Sequence, residues 1–371
     1  MIEFAAIDHH AHNLLKPEIA QKYAYAAFFT EGYDPEIINH HARHTLFYYR
    51  SLREIAQLLN CEATEAAILE RRQELGLEKL ADCCFKAANL EAIFLDDGFF
   101  PSEVFPWQWH QNFVKVKRVL RLEYLAEQLI PRAENCKNFL EAFRSEIDPP
   151  PREVVAFKSI VSYRTGLNID LVSLEVAESS FEQVKQACQE KPCRLNNKHL
   201  IDFLLIQALE IANKYRIPIQ FHTGFGDPDL DLKLSNPLYL RPLLEDKRWQ
   251  NAPIILLHAS YPYTREGGYL ASVYPQIYLD TGLAVPFLSV AGMRSCVQQL
   301  LELTPTTKLM YSSDAHHIPE LYYLAAKWGR KILADVLEAA IKDTDLTAKQ
   351  VDLISKAILS ENARHVYQLY N

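Results

Sequence analysis

Short runs of aliphatic and β-branched residues recur along the chain, each followed by turn residues and then by a stretch with apolar positions three and four apart. The runs suit strands buried on both faces and the stretches suit amphipathic helices, so the alternation reads as successive βα units. Eight strands are predicted: Phe4 to Asp8, Leu90 to Asp96, Val114 to Leu122, Val154 to Lys158, Ile217 to His222, Ile254 to His258, Ile277 to Asp280 and Lys308 to Ser312. Helices are predicted over Tyr124 to Arg144, Leu200 to Arg216, Val285 to Leu303 and Pro319 to Lys342. Eight strands with intervening helices predict a distorted (β/α)8 TIM barrel of the α/β class.

Three segments depart from that repeat. About residues 17–89, after the first strand, are dominated by helical stretches such as Ser51 to Leu59 and Glu62 to Leu75, and predict a helical insertion that caps the barrel. Residues 159–199 are too long for a simple βα loop of about 2 to 6 residues and are expected to shape the substrate pocket. The tail from Thr347 to Asn371 predicts two closing helices. The 371 residues exceed the roughly 250 of a bare barrel, and no repeat, low-complexity tract or Gly/Ser linker divides them. A single domain spanning 1–371, with the insertion inside it, is therefore expected.

Composition narrows the partners. With 49% hydrophobic and 23% charged residues the chain has the balance of a soluble globular protein. A formal net charge of -8 argues against a phosphate-backbone-binding surface, so no nucleic-acid partner is expected. The N-terminus breaks into histidines before a signal-length apolar run develops, and no run approaches a membrane span. A cytoplasmic protein with a small-molecule substrate, and a homo-oligomer as an open alternative, is the expectation. The seven cysteines form no CxxC pair and are expected to be reduced, buried thiols.

The chemistry is carried by histidines where strands stop. The first strand runs into Ile-Asp-His-His-Ala-His; His10 and His12 are two apart and share one side of an extended strand. The fifth run ends in His222 and the sixth in His258, 36 residues on, about one βα repeat. Asp314 follows the eighth run in Ser-Ser-Asp. Barrel enzymes place their reacting groups at the C-terminal ends of strands, so these five side chains are candidate ligands of one or two divalent ions. Imidazole nitrogens with a carboxylate suit Zn2+ first, with Mn2+ or Fe2+ as alternatives. Arg121 beside Glu123, Asp96 beside Asp97, and Arg164 are candidates for the mouth of the site. Arg164 or Arg121 offers a planar fork for a substrate carboxylate, against the competing reading of an ion pair to a carboxylate such as Glu123. His40, His41, His44, His110, His199 and His365 lie away from strand ends and are assigned to the surface or the cap, with His316 and His317 intermediate.

Through His10-Ala11-His12, His222, His258 and Ser312-Ser313-Asp314, the chain resembles the amidohydrolase superfamily. Phe157-Lys158-Ser159-Ile160, Tyr163-Arg164-Thr165-Gly166-Leu167 and Ser312-Ser313-Asp314-Ala315 make it most similar to the branch that includes the domain fused to glutamine-synthetase-like regions in some plants and fungi. The resemblance implies that His10, His12, His222 and Asp314 are metal ligands. It makes His258 a ligand of a second ion or a catalytic group beside the first. Lys158 stands where binuclear members carry a carboxylated lysine bridging two metals, while mononuclear relatives such as the aminocarboxymuconate-semialdehyde decarboxylase group lack that bridge. Tyr163, Arg164 and Arg121 would contact substrate. The implied reaction is metal-assisted hydrolysis of an amide, ester or lactone, with Asp314 and His258 catalytic. The competing readings are a metal-dependent decarboxylase of a small unsaturated or aromatic acid and a non-catalytic metabolite-binding barrel.

Overall fold

A computed structural model of the chain describes residues 2–370. Eight strands run in sequence order, each parallel to the next: β1 (Ala6–Ala11), β2 (Leu90–Asp96), β3 (Lys115–Arg121), β4 (Val154–Ser159), β5 (Ile219–Phe221), β6 (Ile254–Leu256), β7 (Ile277–Asp280) and β8 (Leu309–Met310). The seam between β8 and β1 is joined beyond the short β8: Asp314 N–H donates to the His10 carbonyl at 3.0 Å and His12 N–H to that of Ala315 at 2.8 Å. Eight parallel strands with helices between them thus form the expected, nearly closed (β/α)8 barrel.

The strands read as continuous apolar runs because both faces are covered. Outward residues such as Phe157, Ile219, Phe221, Leu256 and Leu279 pack under the helices. Inward residues Ile7, Phe94, Val119, Ala156, Ile255, Leu257 and Met310 meet in the barrel interior. Ala363, Val366 and Tyr367 of the chain's last turns join that cluster, so the tail plugs the barrel floor.

Residues 17–89 are mainly helical, as expected, with long helices at Leu46–Leu59 and Glu65–Ala88. Each begins at a threonine whose side chain accepts a backbone N–H, Thr45 and Thr64, and each ends on a left-handed asparagine, Asn60 and Asn89. Phe29, Phe47, Tyr48 and Phe85 of this segment share a core with Leu321, Tyr322 and Leu324 of the helix Pro319–Lys342.

Several boundaries differ from expectation. The predicted helix Tyr124 to Arg144 is two helices, Leu122–Leu129 and Cys136–Ile147, because Pro131 offers no N–H and Asn135 caps the second start. The stretch Val285 to Leu303 divides at Ser289, which caps Val290–Leu301. The second helix of the insertion starts at Glu65 and passes Gly76, where φ is +70°, to end at Ala88 rather than Leu75. The expectation of reduced, buried thiols holds for Cys84, Cys136 and Cys296; Cys61 and Cys83 are free but only partly buried, and Cys188 and Cys193 form a disulfide. The chain turns back after the helix Leu174–Glu190, bringing their Cα atoms to 4.5 Å.

Candidate metal centre and substrate cavity

A bulge in β1 builds the site. Opposite β2, Asp8 pairs with Ile93 and Ala11 with Leu95, so two residues, His9 and His10, face the single Phe94. The extra residue breaks the period-two alternation, letting His9 join Ile7 inside while His10 and His12 also turn to the centre. His10 Nε2 and His12 Nε2 then lie 3.1 and 3.2 Å from the same oxygen, Asp314 Oδ1. His258 Nδ1 is 3.8 Å from Asp314 Oδ2. Lys158 Nζ is 3.3 Å from His10 Nε2.

His258 reaches this point through strained backbone. β6 stops at Leu256, and His258, Ala259 and Ser260 follow with φ of 65°, 54° and 49°, a region non-glycine residues seldom enter. Asp280 at the end of β7 holds the turn by accepting the His258 N–H at 2.6 Å and the Ser312 hydroxyl at 2.5 Å. Asp314 itself has φ 54°.

Burial decides the charges. It lowers His9, His222 and His258 well below the ordinary imidazole value, and burial with the neighbouring Lys158 lowers His10 to about 4. Neutral imidazoles retain the lone pairs that a metal needs. Burial alone would raise Asp314, but the neighbouring His258 and the contacts of His10 and His12 hold it well below the carboxylate range. Lys158, also buried, is pushed down to about 8 against the attraction of Asp96 and Asp314.

The tautomers test whether a cation fits. His12 Nδ1 is 3.2 Å from the Asp96 carbonyl, which can only accept, so Nδ1 carries the proton and Nε2 presents a lone pair to Asp314 Oδ1. Two electron-rich atoms facing each other are stable only with a positive centre between or beside them. Asp314 Oδ1 and His258 Nδ1 are moreover buried without a hydrogen-bond partner. His10, His258 and Asp314 each offer an atom within 4.8 Å of the others, a spacing that suits one ion. A ring whose other nitrogen donates to a backbone carbonyl is the usual support of a metal-bound histidine.

His222 lies beside this group rather than in it. Its ring is 4.4 Å from that of His258, and its Nε2 is 3.1 Å from the Phe225 carbonyl, to which it donates. Tyr163 packs on its other side, ring centres 4.4 Å apart. A Cβ at position 226 would fall 1.9 Å from the Tyr163 hydroxyl, so Gly226 is what lets that hydroxyl stand beside His222.

Above the cluster opens a cavity of about 440 Å3, lined by Glu31, Phe99, Arg121, Lys158, Tyr163 and Asp227 among others. Its size falls within the range of small-molecule sites. Tyr33 of the insertion donates to Asp229 Oδ1 at 2.8 Å, tying the residue 30–34 segment across the mouth to the loop after β5.

Three comparisons bear on this arrangement. The family model described as Amidohydrolase matches residues 194–369, which include His222, His258 and Asp314. Protein fluG of Emericella nidulans is 31% identical over 402 aligned residues, covering 98% of this chain. By these matches the chain is similar to the amidohydrolase superfamily, the family model covering its C-terminal part. It spans about half, 45%, of the length of that fungal relative. A structure from Lactobacillus casei, assigned as a metal-dependent hydrolase, superposes with a TM-score of 0.87 at 26% identity, covering 99% of this chain and 96% of the other. Uronate isomerase from Thermotoga maritima shares the fold at a TM-score of 0.66 and 12% identity, with 98% and 95% covered.

Within the barrel the arginines differ from the sequence expectation. Arg121 grips Asp96, with Nε at 3.0 and 3.1 Å and Nη2 at 2.5 Å, rather than Glu123. Glu123 instead accepts the Ser159 hydroxyl and the Ile160 N–H. Arg164 pairs with Glu127 at 3.1 Å. His110, assigned to the surface or cap, is buried and accepts the Leu14 N–H at 3.1 Å. His316 and His317 both line the cavity, while His40, His41, His44, His199 and His365 are exposed.

Sequence reasoning missed His9, Asp280, Tyr367 and Glu31. Gln220 donates to the Tyr367 hydroxyl at 2.8 Å, and that hydroxyl donates to His9 Nδ1 at 2.9 Å, which turns His9 Nε2–H toward Asp280 Oδ2, 3.6 Å away. Asp280 was legible, as a carboxylate closing an apolar strand; the other three carry no such local mark.

Proposed function

We propose that His10, His12, His258 and Asp314 hold a divalent ion, zinc in the first place, and that the chain hydrolyses an amide, ester or lactone. The observation that carries this is the His12 Nε2 lone pair aimed at an unpartnered Asp314 oxygen, 3.2 Å away. In the neutral ring no proton of His12 is left to bridge them. When bound, such an ion supplies Lewis acidity to a carbonyl and to water.

The chain's own residues would then divide the work. Asp314 accepts a proton from water at its carboxylate and returns it to the leaving group. His258 and His222 flank the reacting carbonyl, and Asp280 keeps the His258 turn in place. Lys158 contributes from the floor, either as an ammonium or, after reaction with CO2, as a carbamate ligand able to share a second ion. The narrowing of the mouth by the residue 30–34 segment limits water access.

Elemental analysis of the purified chain tests the reading, with the mass of the Lys158 peptide measured without acid to preserve a carbamate. One or two equivalents of a divalent transition metal are expected, lost in the His10→Ala and His12→Ala variants. Absence of tightly bound metal, together with no uptake of zinc or manganese, would overturn it.

A further inference from the structure

The positive groups of the cavity wall are already matched. Arg121 is held by Asp96, Arg164 by Glu127 at 3.1 Å and Arg194 by Asp229 at 2.8 Å. Lys158 lies on the floor against His10. The negative groups are not matched in the same way. Glu31, delivered by the insertion, has its Oε1 buried without a hydrogen-bond partner. Asp227, in the loop after β5, accepts only the Asp229 N–H at 2.9 Å among the described residues. Neither makes an ion pair among the described residues, though Arg164 and Arg194 act on Asp227 from farther away.

Asp314 and Asp227 both act on Glu31; of the four carboxyls that line the cavity, Asp229 is paired with Arg194, which leaves Glu31, Asp227 and Asp314. No cation acts on Glu31; burial and these two acids push it up to about 8. An ion on the Asp314 cluster would neutralise the floor, and a cation on the wall would displace the proton of Glu31 and pair with its carboxylate. A buried acceptor without a donor is costly, and a ligand that brings both a proton and a positive charge removes that cost.

We infer that the substrate is an amine-bearing compound whose ammonium group is bound by Glu31 and Asp227 while its scissile carbonyl faces the His10, His12, His258 and Asp314 cluster. The scissile group rests on the hydrolase reading; the ammonium subsite rests on the wall alone. Hydroxyl groups could satisfy the same acceptors but would bring no positive charge to pair with the two carboxyl groups. The arginine forks are occupied by protein carboxylates, which turns the specificity away from the acidic substrate that those residues suggested in the sequence.

The test is calorimetric binding to the zinc-loaded and metal-free protein. The probes are mono-N-acetyl diamines of graded spacer length, with N-alkyl acetamides, hydroxyl-ended amides and N-acetyl ω-amino acids as matched controls. The ammonium-ended amides are expected to bind roughly tenfold or more tightly than their neutral partners, the range of a hydrogen bond to a charged group. Glu31→Gln should bring that ratio close to one, and Asp227→Asn should reduce it, with circular dichroism confirming that both remain folded. Equal or tighter binding of the hydroxyl- or carboxylate-ended probes overturns the inference. So does an unchanged ratio in both variants, or no binding of any ammonium-ended probe at millimolar concentration. If ammonium selectivity is present but no probe is cleaved and no metal is bound, the hydrolase reading fails and the subsite stands.

Discussion

Ile7, Phe94, Val119, Ala156, Ile255 and Met310 fill the lower barrel interior, and Tyr367 closes it from beneath. One layer higher β2, β3 and β4 present Asp96, Arg121 and Lys158, and β7 ends in Asp280, all buried. Both layers come from inward positions of one alternation, yet the lower is apolar contact and the upper is charge held in low dielectric. Burial stabilises the first and strains the second, since desolvated charges need partners that the upper layer only partly supplies. The orphaned atoms of Asp314 and His258 sit in the upper layer, where a ligand can satisfy them. Stability and chemistry are therefore separable by depth along one barrel axis.

Single substitutions should separate them. Asp314→Asn is expected to lower turnover of any cleaved substrate by roughly 10²–10⁴-fold, the scale of losing an acid–base group. It should leave the metal-free protein no less stable in urea, because the amide can donate to the facing His10 or His12 nitrogen. Full activity in that variant would remove Asp314 from the reaction. Phe94→Ala, one layer down, should cost about 3–5 kcal/mol in urea unfolding through lost burial and a cavity. Metal stoichiometry in the surviving folded fraction should not change; a loss of metal would mean that the layers are coupled.

Acid should weaken the upper region of the metal-free protein first. His9, His10, His110, His222, His258, His316 and His317 have lowered pKa values from burial, so below about 6.5 the unfolded chain binds protons that the folded chain refuses. Their contribution makes stability fall as pH drops from about 6.5 toward 4. Asp8 and Asp280, raised to about 7, and Glu31, raised to about 8, act in the opposite sense, since the folded chain keeps their protons as pH rises. The seven imidazoles outnumber the three strongly raised carboxyls, and Asp97, Glu123, Asp202 and Asp227 are raised by less, so urea midpoints should decrease from pH 6.5 to pH 4.5; a flat or rising profile would contradict the burial argument. The smallest effect is expected for Tyr367→Phe, which removes the hydrogen bond to His9 and should cost about 1 kcal/mol. A large drop in turnover there would show that the floor positions the site after all.

Much of this was legible from local pattern. Leu90–Asp96, Ile277–Asp280 and Pro319–Lys342 have the boundaries that their periodicity predicts. The strand-end histidines and Asp314 all reach the same end of the barrel, because a parallel strand ending in a polar residue can place it only at the C-terminal mouth. His9 was not legible, since alternation counted from His10 and His12 sends it outward, and only the bulge opposite Phe94 lets all three share the interior. The arginine partners were likewise hidden. Arg121 lies two residues from Glu123 in sequence, but the inward position it shares with Asp96 on the neighbouring strand decides the pair.

The sequence by itself determined the repeat of buried strands and helices, the barrel that follows from it, and the identity of the side chains at the strand ends. These depend on residue type and spacing along a few neighbouring positions. Only the tertiary structure decided which lone pairs face each other, that Glu31 of the insertion confronts Asp227 across the cavity, and that Tyr367 reaches His9 from the far end of the chain. Those contacts depend on the bulge, the left-handed turn at His258 and the docking of distant segments, none of which is marked by any local run of residues.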